Sequence, residues 1–165
     1  MYRVSQLVVY GIHGVCRIVQ MEERTVDRQV VSYYVLEPLS QPGSRYLIPS
    51  HNQAALAKLR PLLDRESLER MLCAASSAQS WIPDENRRKQ YYRQIITSGD
   101  AAALLGMLYC VERYKQSQAE AGKKLHLCDE NFLRDAEKVL SGEIAVVLDI
   151  PEREVPGYIR TVFHA

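Results

Sequence analysis

The segment 7–18 constrains the fold most strongly, because two short apolar runs flank a turn that carries two glycines. Further apolar runs at 32–36 and 46–49 follow at intervals typical of an antiparallel meander, and the residues 42–44 between them are turn formers. The pattern predicts a small β barrel over residues 1–50. A barrel of that size is too small to enclose an enzyme cleft, so it favours docking on another macromolecule.

After Pro49 the composition changes from Val, Tyr and turn residues to Ala, Leu, Arg and Glu. The change predicts an all-α domain over residues 51–165, and the fold class is therefore α+β. Gly99 is expected in a left-handed position at the end of a helix. The expected helix N-caps are Ser50 or Asn52, then Asp64, Asp100 and Asp129.

Composition limits the classes of function that the chain can have. Of its 165 residues, 47% are apolar and 25% charged, as in a soluble globular protein. No apolar run approaches the ~20 residues of a membrane span, and the N-terminus lacks the pattern of a signal peptide, so we expect a cytoplasmic protein with no membrane partner. The four cysteines form no CxxC pair, which predicts reduced thiols and no metal site.

No nucleotide-binding or catalytic motif is present in the sequence, which predicts a protein without catalytic residues, cofactor or small-molecule substrate. One enzymatic alternative remains, a thiol nucleophile at Cys16 activated by His13. The alternating pattern around Cys16 places it in a strand, and no third residue is evident that would orient the imidazole.

The net charge of +1 hides a strong local imbalance. Residues 86–124 contain eight basic and three acidic residues, a surplus of five positive charges, whereas residues 125–165 carry four basic and eight acidic ones. A basic window of this kind can neutralise several phosphates of a nucleic acid. The alternative is a solvated helix face whose charge is balanced by the acidic C-terminal segment.

A series of short motifs follows in order along the chain, at 8–11, 13–15, 33–36, 48–49, 60–61, 98–100 and 142–145. Their order and spacing resemble the CarD/CdnL family of bacterial transcription regulators, whose first domain is similar to the RNA polymerase-interacting domain of transcription-repair coupling factor. The resemblance implies a Tudor/SH3-like barrel docked on the β subunit of RNA polymerase. It also implies a helical domain that touches promoter DNA at the upstream edge of the melted region.

The resemblance also suggests contact residues. Arg24 matches a basic residue that contacts the polymerase, and a second arginine of the family is replaced here by Leu47, with Tyr46 and Arg45 just before it. In the family a tryptophan precedes an Arg-Arg pair, whereas Trp81 lies six residues before Arg87. The candidate DNA-binding residues are Trp81, Arg87, Arg88, Lys89, Arg93, Lys123 and Lys124.

Two of these candidates have structural alternatives. Trp81 is either a wedge between bases or a hydrophobic plug between helices. Arg88 either binds phosphate or pairs with a carboxylate near the core.

The leading prediction is a monomeric, DNA-binding transcription regulator. It docks on the polymerase β subunit and stabilises the open promoter complex through non-specific DNA contacts. The alternative is a protein–protein adaptor on RNA polymerase that never contacts DNA.

Overall fold

The computed structural model describes residues 1–164, which form two compact units, Met1–Leu62 and a second unit that begins at Leu63. The first is built on a β-sheet and the second is helical, which confirms the predicted α+β class. The boundary lies further along the chain than the expected position near residue 50. The reason is that strand β5 (Leu59–Pro61), which the sequence pattern missed, pairs with the first strand of the sheet.

The N-terminal unit contains an antiparallel sheet of five strands. The strands before β5 are β1 (Leu7–Tyr10), β2 (Val15–Val26), β3 (Gln29–Pro38) and β4 (Tyr46–Pro49). Their order in the sheet is β4-β3-β2-β1-β5. Gly11 and Gly14, between the first two strands, have positive φ angles of 47° and 79°, which glycine adopts at little cost. A helix α1 (Gln53–Leu56) is capped by the side chain of Asn52.

The described strands form an open sheet and not the closed barrel that the sequence predicted. Closure requires hydrogen bonds between the two outermost strands, and β4 and β5 are each paired on one side only. These edge strands contain only four and three residues. A small core fills one face of the sheet, formed by Val8, Cys16, Ile18, Tyr34, Leu36, Ile48 and Leu59.

The hairpin of β2 and β3 extends beyond the neighbouring strands as a two-stranded ribbon. Its last pair is Val26 with Gln29, and the two connecting residues, Asp27 and Arg28, have φ angles of 49° and 66°. Two consecutive positive φ angles are typical of the type I′ turn that matches the twist of a hairpin. Most side chains of this ribbon are exposed.

Two helices of the helical unit begin with the side-chain caps that the sequence predicted. Asp64 and Asp100 each accept a hydrogen bond from a backbone N–H of the first turn, and Gly99 adopts a φ of 66° between two helices. The helices are α2 (Arg65–Ala78), α3 (Glu85–Ser98), α4 (Ala101–Glu120), α5 (Leu127–Leu148) and α6 (Val155–Phe163). No helix in residues 1–164 is long and apolar enough to cross a membrane.

The predicted cap of α5 is wrong. The helix begins at Leu127, so Asp129 lies within its first turn and is fully buried, and His126 precedes the helix without a side-chain cap. The Asp129 carboxylate is instead held by Arg88, which is 41 residues away in the chain. No local pattern in the sequence could reveal this partner.

Helices α2 and α4 approach each other closely at Gly106. A Cβ atom added there would lie 2.7 Å from the Cβ of Ala78, closer than two carbon atoms can pack. Gln79, which follows α2, donates from its amide to the carbonyl of Ala103 at 3.2 Å. This close crossing fixes the start of the loop that leads to α3.

Candidate interaction surfaces

Strand β4 offers the first candidate surface, because it is an edge of the sheet. Ser50 donates its N–H to the carbonyl of Ser32 at 2.9 Å, which defines the register of hydrogen bonds with β3. In an antiparallel pair the residues that exchange hydrogen bonds alternate along the strand. The N–H and C=O groups of Leu47 are therefore directed to the free edge, where an added strand can pair with them.

Arg24 forms an ion pair with a carboxylate of its own strand. The Arg24 Nε is 2.6 Å from Oε1 of Glu22 on the exposed ribbon. The hydrogen bond from Arg24 lowers the pKa of Glu22, and the charge of Arg45, from the loop before β4, adds a smaller effect in the same direction. Of the two arginines that the sequence proposed, Arg24 is thus engaged by Glu22, and Arg45 is exposed in the loop before β4.

An aromatic cluster that the sequence did not predict surrounds Tyr46. The ring centroids of Tyr10, His13 and Tyr46 are mutually 4.8–5.3 Å apart, and the Tyr46 hydroxyl lies 3.3 Å from Nδ1 of His13. The Tyr46 ring also packs against the core of the sheet. The phenol therefore anchors the beginning of the edge strand.

The same cluster argues against a thiol enzyme. Cys16 is fully buried, and burial raises the pKa of its thiol to about 11, so it carries almost no thiolate at neutral pH. His13 is engaged with Tyr46 on the surface. Within residues 1–164, no group of three or more His, Cys, Asp or Glu side chains is arranged to hold a metal ion.

In the helical unit, Arg88 is a structural residue. Its side chain is buried, with Nε and Nη2 bound to the two carboxylate oxygens of Asp129 at 2.8 and 2.9 Å. Its Nη1 donates to the carbonyl of Ile82 at 2.9 Å. This bidentate geometry uses the guanidinium fully, so Arg88 follows the carboxylate-pairing alternative and is not directed to solvent phosphate.

Trp81 lies against the same guanidinium. Its ring stacks on Tyr114 at a centroid distance of 3.7 Å with an interplanar angle of 9°, and the Arg88 Cζ is 4.4 Å from its centroid. These contacts hold the loop between α2 and α3 on α4, which is the hydrophobic-plug alternative. Tyr114 and Asp129 complete the cluster, and sequence reasoning missed both because they lie on other helices.

The remaining predicted cations lie at the surface of the helical unit. Arg87 and Arg93 are exposed on α3, and Lys123 and Lys124 are exposed between α4 and α5. Lys89 is partly exposed and forms an ion pair with Glu85 one turn earlier, at 2.8 Å. From residue 86 to residue 98 the chain contains no acidic residue, so the solvent-facing side of α3 is basic over most of its length.

Glu85 also connects α3 to the start of α5. Its Oε1 lies 3.7 Å from Sγ of Cys128, and the loop with Lys123 and Lys124 leads directly into this contact. Glu85 is therefore shared by Lys89 and by the start of α5, which follows the loop of Lys123 and Lys124 (the lysine loop). The predicted cations are thus divided into a solvent-facing set and Arg88, which the fold buries.

The N-terminal unit resembles a known class of domain over its whole length. Residues 2–62 match the family model described as CarD-like/TRCF RID domain, and the match ends at the boundary between the two units. The class is a protein-interaction domain without catalytic function. The unit Met1–Leu62 is therefore a CarD-like RNA polymerase-interacting domain, which confirms for this unit the resemblance seen in the sequence. No curated protein matches the chain.

Proposed function

We propose that the chain is a bacterial transcription regulator that docks on the β subunit of RNA polymerase and stabilises the open promoter complex. The N-terminal unit docks, and the helical unit contacts DNA without reading its sequence. The observation that carries the proposal is the family match over residues 2–62, on a unit whose edge strand is free to pair. We further propose that the protein acts as a monomer in the cytoplasm, where polymerase and promoter meet.

Docking through β4 combines main-chain hydrogen bonds with charge. A strand added beside Leu47 gains backbone pairing, which supplies most of the affinity in strand addition. Exposed ion pairs contribute only about 0–1 kcal/mol each, so Arg24 and Arg45 add little affinity. Their role is to orient the partner. Since Arg24 already binds Glu22, an acidic group of the polymerase exchanges with an existing ion pair.

The helical unit contributes weak phosphate contacts. The proposed set is Arg87, Lys89, Arg93, Lys123 and Lys124, with Trp81 and Arg88 supporting the loop behind them. Docking on the polymerase raises the local concentration of these cations at promoter DNA, so contacts that are individually weak become effective. Each neutralised phosphate adds salt-dependent affinity, and no base readout is needed.

A pull-down of the polymerase β subunit tests the docking. We expect Arg24→Glu to reduce capture about fivefold, because it removes a cation worth about 1 kcal/mol and places a carboxylate beside Glu22. The matched charge reversal Arg153→Glu, at an exposed arginine of the helical unit, is expected to leave capture unchanged. Undiminished capture with Arg24→Glu would contradict the proposed surface.

The adaptor without DNA contact is favoured by one observation, the burial of Arg88 together with the stacking of Trp81. Binding to a forked promoter fragment distinguishes the two functions. A regulator that contacts DNA binds more weakly as salt increases and loses binding when Lys89→Glu and Arg93→Glu are combined. An adaptor shows neither effect.

A further inference from the structure

Tyr91 lies in an open hollow on the solvent side of α3. The residue is 39% exposed, in contrast to Trp81, whose ring is contacted by Tyr114 and Arg88. The hollow has a volume of about 470 Å³ and is lined by Ile82, Arg87, Gln90, Tyr91 and Gln94. Helical spacing places Arg87, Tyr91 and Gln94 on successive turns of one face.

The polar groups of this hollow are available to a ligand. No side-chain hydrogen bond of Arg87, Gln90 or Gln94 is formed within the part of the chain that the structure describes. A second hollow of about 430 Å³, which shares Gln94, continues past Arg93 to Ser98. Because the two hollows share Gln94, they form one track along α3. At the helical rise per residue, the track from Arg87 to Thr97 is about 15 Å long.

The chemistry of the track fits a single strand better than a duplex. An aromatic face accepts a base by stacking whatever the sequence, but only when that base is unpaired and unstacked from its neighbours. Amide side chains match the donor and acceptor pattern of base edges. A guanidinium beside them binds phosphate, and α3 carries no acidic residue from 86 to 98, after Asp84 and Glu85 at its start.

We propose that the hollow around Tyr91 binds an unpaired base of single-stranded DNA, stacked on the phenol ring, with Arg87 on the adjoining phosphate. This inference rests on the proposed function and deepens it, because it names the form of DNA that the helical unit prefers. The strand bound is a melted one, and Tyr91, not Trp81, provides the stacking surface.

Fluorescence anisotropy of labelled oligonucleotides with the full-length protein tests the proposal. The probes are an oligo(dT), the duplex of the same length and a forked duplex with an unpaired arm. The variants are Tyr91→Ala, Tyr91→Phe and, as a matched loss of an exposed apolar side chain, Leu127→Ala. Far-UV circular dichroism establishes that each variant is folded.

We expect Tyr91→Ala to weaken binding to oligo(dT) and to the fork about tenfold, the size of one lost base stack, and to leave duplex binding within twofold. Tyr91→Phe keeps the ring and is expected to bind like the unmodified protein, as is Leu127→Ala. Equal losses on duplex and single strand, or no loss on either, would overturn the inference while leaving non-specific DNA binding intact. The titrations are made at low salt, where phosphate contacts are strongest, and if the unmodified protein binds none of the three probes there, the proposed DNA contact fails as well.

Two further probes exclude other ligands of similar charge. Tighter binding of an oligo(rU) than of oligo(dT) would overturn the assignment to DNA in favour of RNA. An oligoglutamate peptide of equal charge that binds as tightly as the oligonucleotide, and is weakened as much by Tyr91→Ala, would assign the hollow to an acidic protein segment.

Discussion

The N-terminal unit and the helical unit present different kinds of surface. The first presents main-chain groups along β4, whose availability depends on strand order. The second presents side chains on α3 and in the lysine loop, and the availability of each one depends on its own neighbours. Trp81 and Arg88 show the difference, because they pack against each other and are not available to a partner. A sheet edge can therefore be inferred from topology, whereas a charged helix face has to be established one residue at a time.

The largest expected effect lies at the buried ion pair of the helical unit. Asp129→Ala leaves the Arg88 guanidinium buried without its carboxylate, which we expect to lower the free energy of unfolding by about 3–5 kcal/mol. Urea denaturation measures the effect, with Glu130→Ala, the neighbouring and more exposed carboxylate, as the control. If the two variants unfolded at the same urea concentration, Arg88 would not depend on Asp129.

The next effect concerns the crossing of α2 and α4. Gly106→Ala places a Cβ against Ala78, and overpacking of this kind costs about 1–3 kcal/mol. Adding Ala78→Gly to Gly106→Ala is expected to restore part of the lost stability. Gly142→Ala is the matched control, because an added Cβ meets nothing within 4 Å and the helix propensity of α5 improves. Thermal denaturation of the three variants distinguishes a tight crossing from a general intolerance of alanine.

On the sheet edge we expect binding to change while stability is maintained. Leu47→Pro removes an N–H that faces the free edge, so the pairing of β3 with β4 remains and capture of the polymerase β subunit falls about tenfold. Ile48→Pro, one residue later, removes an inward N–H and is expected to destabilise the unit itself. Equal loss of stability in both variants would show that the hydrogen-bond register is reversed.

Paired neutralisations test the side-chain surface. Lys123→Gln with Lys124→Gln removes two cations, so the slope of log affinity against log salt is expected to decrease in magnitude by about two. Arg134→Gln with Lys138→Gln, two exposed cations of α5, is the matched control and is expected to leave the slope unchanged. Titrations of a promoter fragment at several salt concentrations provide the slopes.

The smallest effect is a pH dependence in the N-terminal unit. Burial raises the pKa of Cys16 from 9.0 to about 11, so the folded state disfavours the thiolate. The stability due to this group is fully present below pH 9 and is lost as the pH rises through about 11. Cys16→Ala is expected to flatten the fall in unfolding free energy over that window. An equally steep fall in the variant would assign it to other groups.

Predictions that rest on local chemistry were confirmed by the structure. Asp64, Gly99 and Asp100 act within one turn of their own backbone, and the structure shows each of them as a cap. β5 was missed because a three-residue strand has no periodicity of its own and exists through pairing with β1. Asp129 has the sequence pattern of a cap, but a distant arginine binds it more strongly.

The candidate sites were also predictable only where they depend on local sequence. That residues 86–124 are basic follows from the sequence alone, and the structure adds which of those cations face solvent. Arg87 is exposed and its neighbour Arg88 is buried, because another helix supplies the carboxylate that binds Arg88. The contrast between Trp81 and Tyr91 depends in the same way on Tyr114.

The stacking of Trp81 on Tyr114 makes the helical unit optically distinct from the sheet. The chain contains one tryptophan, and its indole lies in the helical unit against a phenol and a guanidinium. Its intrinsic emission therefore reports the opening of that unit alone, while the N-terminal unit has no tryptophan signal. The unfolding of the helical unit can therefore be followed by itself in an unlabelled sample.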